Sequence, residues 1–591
     1  MLTPDTTTST GAGADSASTR ILHSGATTLA RLSPDSIDAE PSDDLRRSLA
    51  FLGSNLAPET VVAAGYGSSL PAGLLGGLVA HLARLPAVTV VFVALAAALG
   101  AAHAIHTLPV WLATLRRTRA LGNAPELVGR IALRMRIEPS VERASAFAAH
   151  GGDDPLSASL AAHVDRARGT PTAGLSEFAD AWRTWFPALD RSTALLQTAA
   201  DVPAGERDRA LDRAHEVVRE GTRDRLADFV GSVRGPVTAV YAFGVLLPLA
   251  LVGALPAARV AGVGVTAGHV AFVYDVALPA CLLAAVGWVL VRRPVAFAPL
   301  SVDASHPAVD DHRALGVAGG AVAGITGFVA ADALVAPWLA PLAAIGLGTG
   351  TGLFVAARPV VALRARVRAV EDGLSDALYL VGRAVGEGEA VESALARAAT
   401  SIPGETGDLL DEAVGVQRRL RVGVVESFRG EYGVLESTPS PRVAGVATLL
   451  GLAASEGRPA GRAIVSMADQ LSALSRLDAE ARRELASVTE TLSNTAAVFG
   501  PLVAGATVAL ADGMAPAKTL DQTAVATPLS TADLGLAVGA YVLLSAVILT
   551  TLSVGVEHGL DRHLVASRVG RALVSATTTF AVAFAAAGTL V

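Results

Sequence analysis

Lysine is nearly missing from this chain. Lys518 stands alone among 47 basic residues, and the rest are arginines. A phosphate loop of the form G-x-x-x-x-G-K-[ST] needs a lysine that reaches the nucleotide phosphates. Lys518 lies in "APAKTL", outside any such loop, so the chain does not hydrolyse nucleotide as a motor. There is one cysteine, Cys281, inside an apolar run. A lone thiol forms no internal disulfide and no zinc site, so it reads as a small buried hydrophobe. Aromatic residues make up 4% and the formal net charge is -7, so there is no stacking platform and no basic tract for nucleic acid. Charged residues are also scarce: 17% of 591 residues, against about 25% in soluble domains.

What is present is apolar sequence in long runs. The mean hydropathy is +0.48. A membrane helix needs about 20 mostly apolar residues. Such runs lie near 87–110, 236–257, 268–290, 337–357, 532–555 and 572–591, with glycine-rich ones near 61–82, 314–335 and 495–515. Together they predict about nine crossings. The run at 61–82, which contains Ser68, Ser69 and Pro71, also fits a re-entrant or interfacial helix. With the N-terminus inside, the inner flanks hold Arg46, Arg47, Arg116, Arg117, Arg119, Arg292, Arg293, Arg364, Arg366, Arg368, Arg562, Arg568 and Arg571. The outer loops hold Arg84, Arg259 and Lys518. The positive-inside rule then predicts a multi-pass protein of the cytoplasmic membrane with a cytoplasmic N-terminus.

The expected organisation has six parts. Residues 1–45 form a flexible Thr/Ser/Asp-rich tail, too polar to fold alone. Membrane helices occupy 46–115, 235–358 and 495–591. Two polar stretches, 116–234 and 359–494, fall on the arginine-rich side and read as cytoplasmic helical bundles, with no period-2 pattern that would argue for a sheet. The fold class is therefore all-α: a polytopic membrane protein with two homologous cytoplasmic bundles. Pro139 fits the first turn of one helix, and Pro203 opens another. Each stretch ends in an amphipathic helix. In the second, Ile464, Met467, Leu471, Leu474, Ala481, Leu485, Val488 and Leu492 recur at helical spacing, over about 30 residues or roughly 45 Å. In the first, Leu211, Val218, Leu226 and Phe229 do the same. Both lead into apolar runs, and such a helix is either a lever or an ordinary bundle helix that continues into the bilayer.

The two stretches also resemble each other. "LVGR" at 127–130 recurs at 380–383. Val141, Glu142 and Ala144 match Val391, Glu392 and Ala394. "GLSEFADAW" (174–182) is similar to "GVVESFRGEYG" (423–433). Pro187, Leu195, Leu196, Ala199 and Ala200 match Pro441, Leu449, Leu450, Ala453 and Ala454, and Phe243-Gly244 is paired with Phe499-Gly500. The second copy resembles the type II secretion system F domain. The carrying residues are "GEAVESALARA" (388–398) and "ASEGRPAGRAIVSMADQL" (454–471). The first copy offers Glu138 to Ala144 for the opening, and Gly205-Glu206-Arg207 for the later turn. Two copies separated by several membrane helices resemble the large archaeal members of that family. The resemblance implies a platform for type IV pilus-like or archaellum-like assembly. It implies a cytoplasmic secretion ATPase and membrane pilin subunits as partners, a lipid environment and self-association. It implies no enzymatic activity, cofactor or nucleic-acid partner.

Candidate chemistry is sparse. "GLGTGTG" (346–352) superficially resembles a dinucleotide fingerprint, but no strand precedes it, and close helix packing explains it better. His103 and His106 share a helix face without a third metal ligand. Asp275, Asp332 and Asp512 lie in or beside apolar runs, and Asp275 is nearest a core, where an acid is a functional candidate. A docking patch for the ATPase is expected at Arg130, Arg134, Arg136, Glu138, Glu142 and Arg143, with Arg383, Glu389 and Glu392 as counterparts. The plainer reading of these charges is a solvated face. Two other functions stay open: a secondary transporter built from two repeats, and a membrane receptor or scaffold.

Overall fold

The structure, a computed structural model, describes residue 28 and residues 40–54, 56–152, 154–168, 174–260, 265–293, 306–456, 458–513 and 530–589. No strand occurs among them. Most of the expected 1–45 tail, Lys518 and the side chains of Arg259 and Asp512 lie outside the described residues. The end of that tail is already helical. Ser42 caps a helix that starts at Asp43, and Asp43 and Asp44 favour its positive end.

The first half begins with α1 (Asp43–Leu52), α2 (Pro58–Leu82) and α3 (Ala87–Gly122). A bundle follows: α4 (Ala124–Ile137), α5 (Val141–His150), α6 (Pro155–Ala167), α7 (Leu175–Arg183), α8 (Pro187–Asp201) and the start of α9 (Ala204–Tyr241). A π-helical turn (Ala242–Leu246) joins α9 to α10 (Leu247–Val260). Then come α11 (Ala267–Ala271), a second π-turn (Phe272–Ala277) and α12 (Leu278–Arg292). The second half repeats the order. It has α13 (Arg313–Leu334) and α14 (Ala340–Glu387), then α15 (Val391–Ser401), α16 (Glu405–Leu420), α17 (Val424–Arg429), α18 (Pro441–Glu456) and α19 (Arg458–Asn494). A π-turn (Thr495–Phe499) leads to α20 (Gly500–Gly513), and α21 (Thr531–His558) follows. The last helix, α22 (Arg562–Gly588), has no counterpart among the described residues of the first half.

The order of helices in the two halves is therefore parallel. Pro187 and Pro441, which open α8 and α18, are 254 positions apart. Ala242 and Thr495, which open matching π-turns, are 253 apart. The Phe-Gly pairs are not equivalent, which corrects the sequence match: Phe243-Gly244 lies inside its π-turn, whereas Gly500 follows the other. Pro139 and Pro203 also sit differently from expectation. Ser140 caps α5 through its hydroxyl, which leaves Pro139 one residue outside the helix, and Pro203 is itself the cap residue of α9. Pro125, Pro155 and Pro187 take the first-turn positions, where a missing N–H costs nothing.

Nine helical runs among the described residues are long and apolar enough to cross a bilayer. They are Pro58–Leu82, Ala87–Arg136, Ala204–Leu255, Ala267–Arg292, Arg313–Leu334, Pro337–Glu387, Ala460–Ala511, Thr531–His558 and Arg562–Gly588. This is the signature of a multi-pass membrane protein. It also accounts for Cys281, which is exposed on α12 rather than buried, since the outer face of a spanning helix is itself apolar.

The chain forms two compact units. One gathers residues 1–117, 261–278 and 520–537. In it, Leu45 and Leu49 of α1 pack with Val61 of α2. His106 of α3 donates to the Val62 carbonyl (3.1 Å) and lies edge-on to Tyr66, so it is a helix-packing residue. His103 is exposed, and no group of metal-ligating side chains occurs among the described residues.

The other unit gathers residues 118–260, 279–519 and 538–591, and holds both bundles. The first bundle's core includes Leu127, Ile131, Phe178, Leu189, Leu196 and Leu211. The second includes Val381, Leu395, Leu410, Phe428, Leu450 and Ile464. The repeated "LVGR" motif has a packing cause. Gly382 lets α14 approach Ile464 and Val465 of α19, and Gly129 lets α4 approach Gln470 of the same helix. The seam residues Ile464, Leu474, Ala481, Leu485 and Leu492 are buried, as are Leu211, Val218, Leu226 and Phe229 of α9.

"GLGTGTG" is likewise a packing motif. Gly348 and Gly352 of α14 meet Gly320, Gly324 and Gly316 of α13, while Gly350 turns to Gly570 of α22. A Cβ at Gly320 would stand 2.7 Å from the Gly348 carbonyl oxygen, whereas one at Gly319 would meet nothing within 4 Å. Gly320→Leu should therefore destabilise the protein in detergent by about 1–3 kcal/mol through overpacking. Gly319→Leu should be close to neutral. Thermal unfolding of the two variants checks this.

Candidate functional site

The expected docking patch is held together by its own charges. Arg130 donates to Glu126 (3.1 Å), the Gly151 carbonyl (3.2 Å) and Ser157 (2.7 Å), and lies 3.5 Å from Asp154. Its side chain is only 14% exposed, so it works as a strut between α4 and the start of α6. Arg134 (2.7 Å) and Arg143 both pair with Glu138. Arg136 pairs with Asp212 and approaches Asp208 (3.9 Å), which ties α4 to α9. Glu142 accepts from Ser140 (3.0 Å) at the cap of α5. In the second bundle, Arg383 pairs with its helix neighbour Glu387 (3.3 Å), Glu389 with Arg397, and Glu392 is exposed. Of the six first-bundle residues, ion pairs join Arg134, Glu138 and Arg143, while Arg130, Arg136 and Glu142 each have partners outside the set. Arg383, Glu389 and Glu392 lie on the second bundle.

A different constellation lies where α9 and α19 run into apolar helix. Pro248 has no N–H and its ring crowds the carbonyl four residues back, which is that of Gly244. The chain responds with the π-turn Ala242–Leu246, in which the Leu247 N–H reaches back five residues to the Ala242 carbonyl. The freed Gly244 carbonyl is taken by the hydroxyl of Tyr541 on α21, which donates to it. The second half repeats each step. Pro501 lies four residues after Ala497, and the Gly500 N–H reaches the Thr495 carbonyl. Ser575 on α22 donates to the Ala497 carbonyl (2.9 Å). The two joints adjoin: a Cβ at Gly500 would lie 3.7 Å from a methyl of Val245. The two long helices also meet before the joints, where Arg223 pairs with Glu480 (2.9 Å).

A polar lock flanks the second joint. Thr489 of α19 donates to Glu557 at the end of α21, and Ser553 donates to the same carboxylate (3.2 Å). Arg293 donates to the carbonyls of Val556 (2.5 Å) and Glu557 (3.2 Å), which satisfies the last turn of α21. Burial, with some repulsion from Arg482, pushes the Arg293 guanidinium down to about 10, so it stays charged at neutral pH. Arg364 of α14 pairs with Asp561, both about 10% exposed, while Asp561 caps α22 through the amides of His563 and Leu564 (3.0 Å each). Five helices, α12, α14, α19, α21 and α22, are thus tied at one level.

No protein-family model, curated protein or solved structure matches this chain.

Asp275 occupies the remaining π-turn. Pro279 follows it by four residues, and the Leu278 N–H reaches the Val273 carbonyl, so the joint motif occurs a third time. One carboxyl oxygen of Asp275 is buried with no hydrogen-bond partner among the described residues. The joints escaped the sequence reading, although their signal was present. Pro248 and Pro501 stand at the repeat offset of 253, each inside an apolar run.

The Tyr541 bond should exist because Pro248 cannot donate. Tyr541→Phe leaves the Gly244 carbonyl unsatisfied, at a cost of about 1–3 kcal/mol. In a Pro248→Ala background, where the helix supplies its own donor, the same change should cost well under half of that. A double-mutant cycle by unfolding in detergent reads the difference.

Proposed function

We propose that this chain is an integral platform protein of the cell membrane for assembly of type IV pilus-like filaments, of the type II secretion system F kind. Its two bundles dock a cytoplasmic secretion ATPase, and its membrane helices receive and release pilin subunits. The protein acts by contact and needs no active site of its own. The observation that carries this reading is the pair of 52-residue helical runs, Ala204–Leu255 and Ala460–Ala511. At 1.5 Å per residue each is about 78 Å long, more than twice the ~30 Å hydrocarbon layer. Each begins in a polar bundle, crosses a proline joint and ends among apolar helices. Such a run converts a push on the bundle into a displacement at the membrane. The arginine-rich flanks favour bundles and N-terminus on the cytoplasmic side. Self-association would match a ring-shaped motor.

Prolines placed in the second run test it. Arg476→Pro with Ser487→Pro, both exposed positions of α19, should abolish filament assembly while membrane insertion and detergent-extracted yield stay normal. Electron microscopy of cells and membrane fractionation give the two readouts, and normal filaments would sink the reading.

A second reading, a secondary transporter, is favoured by Asp275. An unpartnered carboxyl oxygen within a broken membrane helix is a common ion-coupling feature. Asp275→Asn should abolish ion-driven uptake in reconstituted vesicles if transport is the function, and should leave filament assembly within about twofold if it is not.

A further inference from the structure

The second bundle has a corner whose charges, unlike those of the first-bundle patch, are not spent internally. α16 ends in Arg418, Arg419, Leu420 and Arg421, and α17 follows after two residues. Gln417 donates to Ser427 (3.0 Å), which locks the end of α16 onto α17. The chain then folds back over α17: the Val434 N–H reaches the Ser427 carbonyl and the Leu435 N–H that of Phe428, 3.1 Å each. This fixes the tight turn Gly430–Gly433 beside the same corner.

The corner combines two features. Arg418, Arg419, Arg421 and Arg429 are exposed and form no ion pair among the described residues. Arg419 touches the Gly415 carbonyl of its own helix, and Arg429 the Thr448 hydroxyl. From Gln417 to Gly433 the chain carries four arginines and two carboxylates, Glu426 and Glu431, with Asp411 and Glu412 two turns back on α16 and Glu436 just beyond, so arginine is in excess at the corner itself. Among these cations stand Leu420 (50% exposed), Val425 (40%) and Tyr432 (68%). Cations at the end of α16 also complement its dipole, but that does not call for exposed leucine, valine and tyrosine beside them.

The backbone supplies a second, independent observation. Arg421 caps α16 at φ 55, ψ 40, in the left-handed region. Glycine usually holds this position because other side chains are strained there. Gly388 does so at the end of α14, with φ 103. Arg421 is exposed and has no ion pair among the described residues, so none of them offsets the strain of an arginine in the left-handed region.

We infer that this corner is a docking surface for an acidic partner protein, one that presents carboxylates around an apolar socket for Leu420 and Tyr432. Under the platform reading, on which that partner's identity rests, it is the assembly ATPase, and the corner is the second bundle's part of that contact. Arginine forks grip carboxylates in pairs, the apolar side chains add desolvated contact, and the excess charge steers the encounter.

The test uses the full chain in phosphatidylcholine nanodiscs. Three probes are titrated: a synthetic helical peptide of leucine and glutamate, the purified assembly ATPase of the same cell, and phosphatidylglycerol vesicles. Peptide affinity should fall about tenfold or more in Arg418→Glu/Arg421→Glu and in Leu420→Ser/Tyr432→Ser, and stay within about twofold in Arg209→Glu/Arg213→Glu, both exposed on α9 of the first bundle. Arg421→Gly separates docking from folding: its Tm should equal or exceed that of the parent while peptide affinity falls. Peptide binding that ignores both corner variants overturns the inference. So does vesicle binding that the corner variants abolish while peptide binding survives, which would make the corner a membrane contact. If the peptide behaves as expected but the ATPase does not bind the parent protein, the corner stands and the platform reading falls.

Discussion

A carbonyl in the hydrocarbon layer has no water to turn to, and Pro248 and Pro501 each remove the donor that a helix would have supplied. Much of the second unit is arranged around that loss. Each proline forces a π-turn, each π-turn frees a carbonyl, and each carbonyl is claimed by a hydroxyl from a later helix: Tyr541 for Gly244, Ser575 for Ala497. The bond from α21 holds the first joint and the bond from α22 holds the second. The C-terminal helices are therefore the clasp that closes both halves. This gives α22, the helix without a counterpart among the described residues of the first half, a structural reason to exist.

The same economy governs charge. Two arginines near the apolar region are committed: Arg293 to the end of α21, Arg364 to Asp561. Taking such groups out of water is tolerable only when each finds a partner. Within the first bundle Arg130 and Arg136 are committed too, and they brace α4 against α6 and α9. The second bundle's corner differs, with exposed arginines that form no ion pair among the described residues and exposed apolar side chains at one turn. The two bundles thus differ at these positions: one is braced internally, and the other carries exposed arginines beside exposed apolar side chains.

Much of the fold could be read from residue order. The apolar runs, the two polar stretches and the buried seam of α19 follow from periodicity, and periodicity is a local property. Helix starts were less legible. Pro139 and Pro203 fit the pattern of a first-turn proline, but the hydroxyl of Ser140 and the geometry of α9 moved both outside the helix. Cys281 was misjudged for a related reason: on a spanning helix, apolar does not mean buried. The charged patch of the first bundle was legible as a cluster but not as a network. Whether an arginine faces solvent or a carboxylate 76 positions away, as Arg136 and Asp212 do, depends on how helices cross.

Residue order settled what is helical, what is apolar enough for a bilayer, and that no phosphate loop is present. Each of these needs only composition and short-range spacing. The folded chain settled which side chains are spent and which are free. The donors at Tyr541 and Ser575, the lock at Glu557 and the unspent arginines of the second bundle all depend on contacts between distant helices. Such contacts are set by packing geometry, and side-chain periodicity along one helix does not encode what the neighbouring helix will offer.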